Sequence, residues 1–69
     1  MRGMIAVVSD NVKAYYFDAA TQKLRVLFHS GGLYEYSNID QAIASAFNQP
    51  HPWRRVGRIV IRHPTRKIH

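Results

Sequence analysis

The sequence contains no cysteine among its 69 residues. A disulfide framework, a thiol nucleophile and a thiolate metal site are therefore excluded. Long apolar runs are missing as well: the run over residues 4–8 ends at Ser9-Asp10-Asn11, too early for a secretory signal peptide. No stretch reaches the roughly 20 apolar residues that a transmembrane helix needs. We therefore expect a soluble, cytoplasmic protein that does not associate with membranes.

Acidic residues are scarce, with four Asp and Glu against ten Lys and Arg and a formal net charge of +6. The imbalance grows along the chain, because Asp40 is the last acidic residue. The later basic residues include Arg54, Arg55, Arg58, Arg62, Arg66 and Lys67. A basic C-terminal segment of this kind, here residues 53–69, can contact phosphates or an acidic protein surface, with salt-dependent affinity in both cases.

Residue arrangements typical of an enzyme are missing too. The four acidic residues are scattered over different predicted elements, and the serines have no visible base partner. There is no phosphate-binding glycine loop of the P-loop or Rossmann type. None of the four histidines pairs with a carboxylate at a ligand spacing. We therefore predict a protein with no catalytic activity, no cofactor and no metal site.

Hydrophobic residues make up 46% of the sequence, which is enough for a globular core and argues against disorder. A domain of this size buries only about 60% of its unfolded surface, so we expect a stability of a few kcal/mol. Residues 1–69 are interpreted as one small domain.

Alternating hydrophobic residues predict a β-sheet. Residues 12–17 are rich in β-branched and aromatic side chains, and Lys23–Phe28 alternates cleanly. Leu33–Tyr36 forms a third strand after a glycine turn. Residues 5–8 are either an edge strand or an ordered arm.

One helix is predicted after the third strand. Ser37 or Asn38 can cap it, because Asn38 and Gln41 have the spacing of a capping box. The helix should cover residues 39–47 and pack on the sheet. Two prolines, Pro50 among them, should end it.

Residues 56–62 are rich in β-branched side chains and favour a last strand. A helix is the alternative, because Trp53, Val56 and Val60 also fit one helical face. The tail over residues 63–69 is expected to be mobile. The predicted fold is α+β: a small antiparallel sheet of three or four strands with one α-helix packed on one face.

The direction of the Tyr34 and Tyr36 side chains depends on the turn before them. A three-residue turn with a left-handed glycine, either Gly31 or Gly32, places both tyrosines under the helix. An even turn would move both to the open face beside Arg25. We favour the odd turn, because it puts all the large alternating residues under the helix.

Short motifs follow one another over residues 9–47: Ser9-Asp10-Asn11-Val12, Phe17-Asp18, Leu24-x-Val26-x-Phe28, Gly31 and Tyr34-Glu35-Tyr36. In these motifs the chain resembles the KTSC domain, a short module found at the C-terminus of some lysyl-tRNA synthetases and as a stand-alone protein. The later Ser-x-Gly segment of the family is not evident, and residues 49–55 stand there instead. Attachment to a tRNA-handling enzyme implies RNA binding by association.

Aromatic residues beside basic ones are candidates for stacking on unpaired bases. Tyr16 should lie on the open sheet face near Arg25, and Trp53 adjoins Arg54 and Arg55. Each feature also has a purely structural explanation, as core aromatics or as charges that protect an edge strand. The candidate binding residues are Tyr16, Arg25, Tyr34, Tyr36, Trp53, Arg54, Arg55, Arg58, Arg62, Arg66 and Lys67.

Two functions fit these features. The first is a nucleic-acid-binding module, with RNA favoured over DNA, in which the basic segment contacts phosphates and the aromatics stack on bases. The second is a protein-docking regulator, of a kind that phages encode, that presents the basic segment to an acidic surface of a transcription or translation machine. A folded domain whose charge serves only solubility is a third interpretation. We favour nucleic-acid binding.

Overall fold

A computed structural model of the protein describes residues 3–69. Within these residues the chain forms a five-stranded antiparallel sheet with two short α-helices on one face. The strands follow one another across the sheet in chain order: β1 (Ile5–Ala6), β2 (Val12–Asp18), β3 (Lys23–Phe28), β4 (Leu33–Tyr36) and β5 (Thr65–Lys67). Between β4 and β5 lie α1 (Gln41–Ser45), which continues as a 3-10 turn over Ala46–Asn48, and α2 (Pro52–Val60).

A tight turn joins β2 and β3 and sets the register of this hairpin. Asp18 lies opposite Lys23, and Tyr15 lies opposite Val26. The Asp18 carboxylate accepts a hydrogen bond from the Ala20 backbone N–H at 3.0 Å, which closes the turn. Tyr15 and Val26 therefore share the face that the helices cover.

The β3–β4 hairpin has the three-residue turn that the sequence favours. Phe28 donates its backbone N–H to the Gly32 carbonyl at 2.9 Å, and Gly31 donates back to the Phe28 carbonyl at 2.9 Å. Gly31 has φ +100°, a backbone conformation that residues with a side chain rarely adopt. The odd turn places Tyr34 opposite Val26 on the helix-covered face, as predicted.

The core lies between the sheet and the helices. Its buried side chains are Val12, Tyr15, Leu24, Val26 and Tyr36 from the sheet side and Ile39, Ala44, Phe47 and Val60 from the helical side. The rings of Tyr15 and Phe47 pack with their centroids 5.2 Å apart. The Tyr15 hydroxyl donates a hydrogen bond to Asn48 Oδ1, which ties β2 to the end of the first helical segment.

The first helix begins later than predicted. Its N-cap is Asp40, whose Oδ1 accepts a hydrogen bond from the Ile43 N–H at 2.9 Å. The predicted cap Asn38 has φ 62° and belongs to a turn instead. Ile39 is fully buried and donates its backbone N–H to the Gln22 carbonyl, so the chain completes this turn before it can become helical. The capping prediction for Ser37 or Asn38 was wrong.

Residues 56–62, which the sequence favoured as a last strand, form the end of helix α2 and the turn after it. Pro52 occupies the first helical position, where a backbone N–H would have no partner within the helix, so its absence costs no hydrogen bond. Val60 is buried and Val56 packs against the core, whereas Arg58 is exposed. In a strand, these three residues would point to the same side and carry the arginine into the core. A helix separates them, so the helical alternative is correct.

The C-terminal tail, expected to be mobile, forms β5 along the outer edge of β4. Ser37 donates its backbone N–H to the Pro64 carbonyl at 2.9 Å, and Arg66 lies opposite Glu35. At the opposite edge of the sheet, Ile5–Ala6 forms an edge strand, one of the two alternatives (edge strand or ordered arm) predicted for residues 5–8. The α+β class is confirmed, but in the described part of the chain the sheet has five strands rather than three or four and carries two α-helices rather than one.

Replacement of Gly31 by alanine tests the turn between β3 and β4. We expect Gly31→Ala to destabilise the fold by about 1–2 kcal/mol, because a Cβ disfavours a left-handed backbone. Urea denaturation followed by circular dichroism measures the effect. Gly3→Ala is the matched control, since nothing lies within 4 Å of a Cβ at that position. Equal stability of the two variants would contradict a requirement for glycine in this turn.

Candidate functional site

The predicted binding residues lie on two sides of the sheet. The arginine ridge, on the outer face of α2 and the turn after it, consists of Arg54, Arg55, Arg58 and Arg62, all exposed. The open-face cleft, on the side without helices, contains Tyr16, Arg25 and Arg66. Tyr34, Tyr36 and Trp53 pack in or against the core. The basic segment predicted over residues 53–69 is thus divided between the two sides.

The arginine ridge follows from the spacing of α2. Arg54 and Arg58 are four residues apart and lie one turn above the other on the same side of the helix, with Arg55 beside them. Arg62 is four residues further, just after the helix, and is also exposed. Because a helix rises about 1.5 Å per residue, the backbone positions of Arg54 and Arg58 are about 6 Å apart along the helix axis.

Few acidic partners neutralise the arginine ridge. Arg54 forms an ion pair with Asp10, in which both side chains are largely exposed. Arg55 donates through Nε to the Pro50 carbonyl at 3.4 Å and forms no ion pair within residues 3–69. Among the described residues, no carboxylate lies within ion-pair distance of Arg58 or Arg62. The ridge is therefore a surface of concentrated positive charge.

The aromatic side chains near α2 pack against one another in and beside the core. The Trp53 ring packs edge-on against Phe28, with centroids 4.9 Å apart, and lies 6.1 Å from Tyr36. Tyr36 is only 4% exposed. Its pKa is raised, chiefly by burial and also by the neighbouring Tyr34.

Tyr34 is half-buried, with its ring 5.7 Å from that of Phe28 and with the Lys67 ammonium 6.0 Å from its centroid. Tyr16 differs from Tyr34, Tyr36 and Trp53, because it faces the cleft and is not part of the core cluster.

A row of side chains crosses the open sheet face. Tyr16 on β2 lies opposite Arg25 on β3, Arg25 lies opposite Glu35 on β4, and Glu35 lies opposite Arg66 on β5. Directly opposite residues in antiparallel strands have Cβ atoms about 4.5–5.5 Å apart, so their side chains interact. The row therefore joins four strands through one carboxylate and two guanidinium groups.

Glu35 is the centre of this row and is only 4% exposed. Its Oε2 accepts a hydrogen bond from Arg25 Nε at 3.0 Å, and its Oε1 accepts one from Arg66 Nη2 at 3.0 Å. The Lys23 ammonium lies 3.8 Å from Oε1. Burial is the largest influence and alone would raise the pKa of Glu35. The Arg25 hydrogen bond and the charges of Arg66, Lys23 and Arg25 outweigh it, so the pKa of this carboxyl is lowered.

The open-face cleft has a volume of about 410 Å³. Besides the row, it is lined by Met4, Asp18, Thr21, Lys23 and Leu33. Neither Glu35 nor Lys23 is among the binding residues that the sequence predicts, although both line the cleft. The alternation of side chains along the two hairpins could have identified Glu35 and Lys23, because residues 23, 25 and 35 lie on the same side of neighbouring strands.

Among residues 3–69, no group of three or more His, Cys, Asp or Glu side chains is arranged to hold a metal ion. Neither α1 nor α2 has the length and apolar character that a membrane crossing requires, and these are the α-helices of the described part of the chain.

Comparison with known proteins confirms the resemblance to the KTSC domain. The family model for this domain matches residues 8–51, more than half of the chain. The crystal structure of a KTSC domain protein from Yersinia pestis is similar over 97% of each chain, with a TM-score of 0.85 and 19% sequence identity. At that identity the likeness shows a shared fold. No curated protein matches significantly. Helix α2 and its arginines lie beyond the residues that the family model matches.

The lowered pKa of Glu35 predicts a decrease of stability in acid. A carboxyl whose folded pKa lies below its ordinary value of 4.5 stabilises the fold above that value, and the contribution is lost as the pH falls through the folded pKa. We expect Glu35→Gln to be less stable than the parent protein at pH 7 and to lose less stability between pH 5 and pH 2. Urea midpoints across this range measure both effects.

Asp10→Asn is the control for the acid profile. Asp10 belongs to an exposed ion pair, which contributes about 0–1 kcal/mol. This variant should therefore keep a pH dependence close to that of the parent protein. Parallel curves for the parent protein and Glu35→Gln would show that Glu35 does not account for the acid sensitivity.

Proposed function

We propose that this chain, which belongs to the KTSC domain family, binds single-stranded RNA through the arginine ridge and catalyses no reaction. The observation that carries the proposal is the exposed face of α2, where arginines cluster and the helix itself contributes no acidic residue. The formal charge of +6 supports it, because a surplus of this kind attracts polyanions over a distance.

The ridge suits phosphate contacts in particular. Each guanidinium presents several donors in a planar fork that matches phosphate oxygens. Arg58 and Arg62 offer these donors without competition from a carboxylate among the described residues. Contacts of this type neutralise the backbone without reading bases, so we expect affinity that depends on salt and little on sequence.

RNA is preferred over DNA because of the family. Some lysyl-tRNA synthetases carry a KTSC domain at their C-terminus, and a basic appendix on such an enzyme would meet tRNA. This support is associational, whereas the support from the arginine ridge is physical.

A second candidate is docking on an acidic surface of another protein, as a regulator. The observation that favours it is a pair of exposed isoleucines beside the ridge: Ile59 is 47% exposed and Ile61 is 60% exposed. Large apolar side chains flanked by arginines are common at the centres of protein interfaces. Nucleic-acid phosphates would leave these two isoleucines unused.

Charge reversal on the ridge tests RNA binding. We expect Arg58→Glu with Arg62→Glu to weaken binding of a labelled single-stranded RNA at least tenfold at low salt. The slope of log K against log salt should fall by about 0.7 for each phosphate that the variant no longer neutralises. Fluorescence anisotropy at several salt concentrations measures both quantities.

Two controls separate the ridge from overall charge. Arg58→Lys with Arg62→Lys keeps the positive charges and should bind within a few-fold of the parent protein. Lys13→Glu reverses an exposed positive charge on β2 rather than on the ridge, and should have a much smaller effect. Unchanged RNA binding after the double reversal to Glu would refute the proposed role of the ridge.

Replacement of the exposed isoleucines distinguishes the second candidate. If the protein docks on another protein, Ile59→Ser with Ile61→Ser should abolish a capture that survives nuclease treatment. If RNA is the ligand, the same variant should keep its RNA affinity within about threefold, because phosphate contacts do not use apolar side chains. Pull-down with and without nuclease, together with the anisotropy assay, gives both results.

A further inference from the structure

The row on the open sheet face holds its arginines in defined directions. Glu35 accepts from Arg25 through one oxygen and from Arg66 through the other, so each guanidinium is held in one direction. Arg66 uses a single terminal nitrogen for this contact, and its side chain is 70% exposed. The remaining donors of Arg66 are therefore positioned toward solvent at the cleft.

The charge in the cleft favours an anion. Its lining contains three cations, Lys23, Arg25 and Arg66, and two carboxylates, Asp18 and Glu35. Glu35 is shielded on both oxygens, and the Asp18 carboxylate is engaged by the Ala20 N–H in the β2–β3 turn. An anionic group would consequently meet the exposed ammonium of Lys23 and the guanidinium of Arg66.

The other walls of the cleft favour a flat, partly apolar group. Tyr16 begins the row and lies in the cleft, where its ring can offer a surface for stacking. Met4 and Leu33 contribute apolar side chains. The volume of about 410 Å³ lies within the range of pockets that hold small molecules.

We propose that the open-face cleft binds one unpaired nucleotide of a single strand, with its base stacked on Tyr16 and its phosphate contacted by Arg66 and Lys23. A base with its phosphate uses both the aromatic wall and the cations, whereas a simple anion would use only the cations. The inference rests on the proposed RNA binding, because a bound RNA strand supplies the nucleotide.

Strand β5 connects the two surfaces. Arg66 reaches the open face, and Lys67 lies over the Tyr34 ring on the helix-covered side. Arg62, the last arginine of the ridge, precedes β5 by three residues. The molecule measures 26 × 24 × 21 Å, so a flexible single strand can pass around this edge and contact both sides.

NMR titration of the full chain tests the cleft directly. The three probes are a uridine pentanucleotide, uridine monophosphate and inorganic phosphate. We expect the pentanucleotide to shift the backbone amide signals of Tyr16, Arg25 and Glu35 together with those of α2. The monophosphate should shift the cleft signals at higher concentration, and phosphate should bind more weakly still.

Variants measure the stacking and the phosphate contact separately. Tyr16→Ala should weaken pentanucleotide binding about 5- to 140-fold, the effect of removing one stacked base. Tyr16→Phe should retain it, because the ring is kept. Arg66→Ser changes an exposed side chain and should lower the salt slope by about 0.7. Urea denaturation confirms that each variant is folded.

The outcomes distinguish the cleft from the ridge. Binding that depends on Arg58 and Arg62 but not on Tyr16 or Arg66 would overturn the cleft and leave the proposed function standing. Binding that depends on Tyr16 and Arg66 but not on the ridge would support the cleft and overturn the ridge. Binding of the monophosphate without the pentanucleotide would overturn the strand as the source of the nucleotide. Phosphate binding as tight as that of the monophosphate would overturn base stacking.

Discussion

The left-handed turn at Gly31 decides which side chains of the central hairpin are buried. With three residues between Phe28 and Gly32, Tyr34 pairs with Val26 on the helix-covered face. A turn one residue longer or shorter would exchange the two faces of β4, because successive side chains of a strand point to opposite sides. The apolar face that receives α1 and α2, and the charged face that forms the cleft, both depend on this parity.

Glu35 has the corresponding role on the open face. It is a buried charge, which is costly unless paired, and three cations from β3 and β5 surround it. The pairing with Arg66 adds a side-chain contact to the backbone pairing of β5 with β4. One carboxylate thus contributes to stability, to the attachment of the C-terminal strand and to the orientation of the arginines in the cleft.

The two basic surfaces have different characters. The arginine ridge is exposed, and Asp10 is its one acidic partner among the described residues, which suits contact with a phosphate backbone along its length. The cleft is concave, contains an aromatic ring and holds its cations in fixed directions, which suits one defined group. The exposed Ile59 and Ile61 beside the ridge are the feature that nucleic-acid binding leaves unexplained, and they are the reason for keeping protein docking as the second candidate.

The sequence by itself determined that β2, β3 and β4 are strands, and it favoured the odd turn at Gly31 that places Tyr34 on the same face as Val26. These features depend on local alternation and on turn residues, which act over a few positions. Tertiary structure alone decided that α2 is a helix, that the tail becomes β5, and that the arginines of residues 53–69 separate onto two sides. A short β-branched segment fits a strand or a helix until the core selects one, and a tail becomes a strand only where another strand leaves an edge to pair with. The buried state of Glu35 follows from the same pairing, because Arg66 comes from a strand thirty-one residues away.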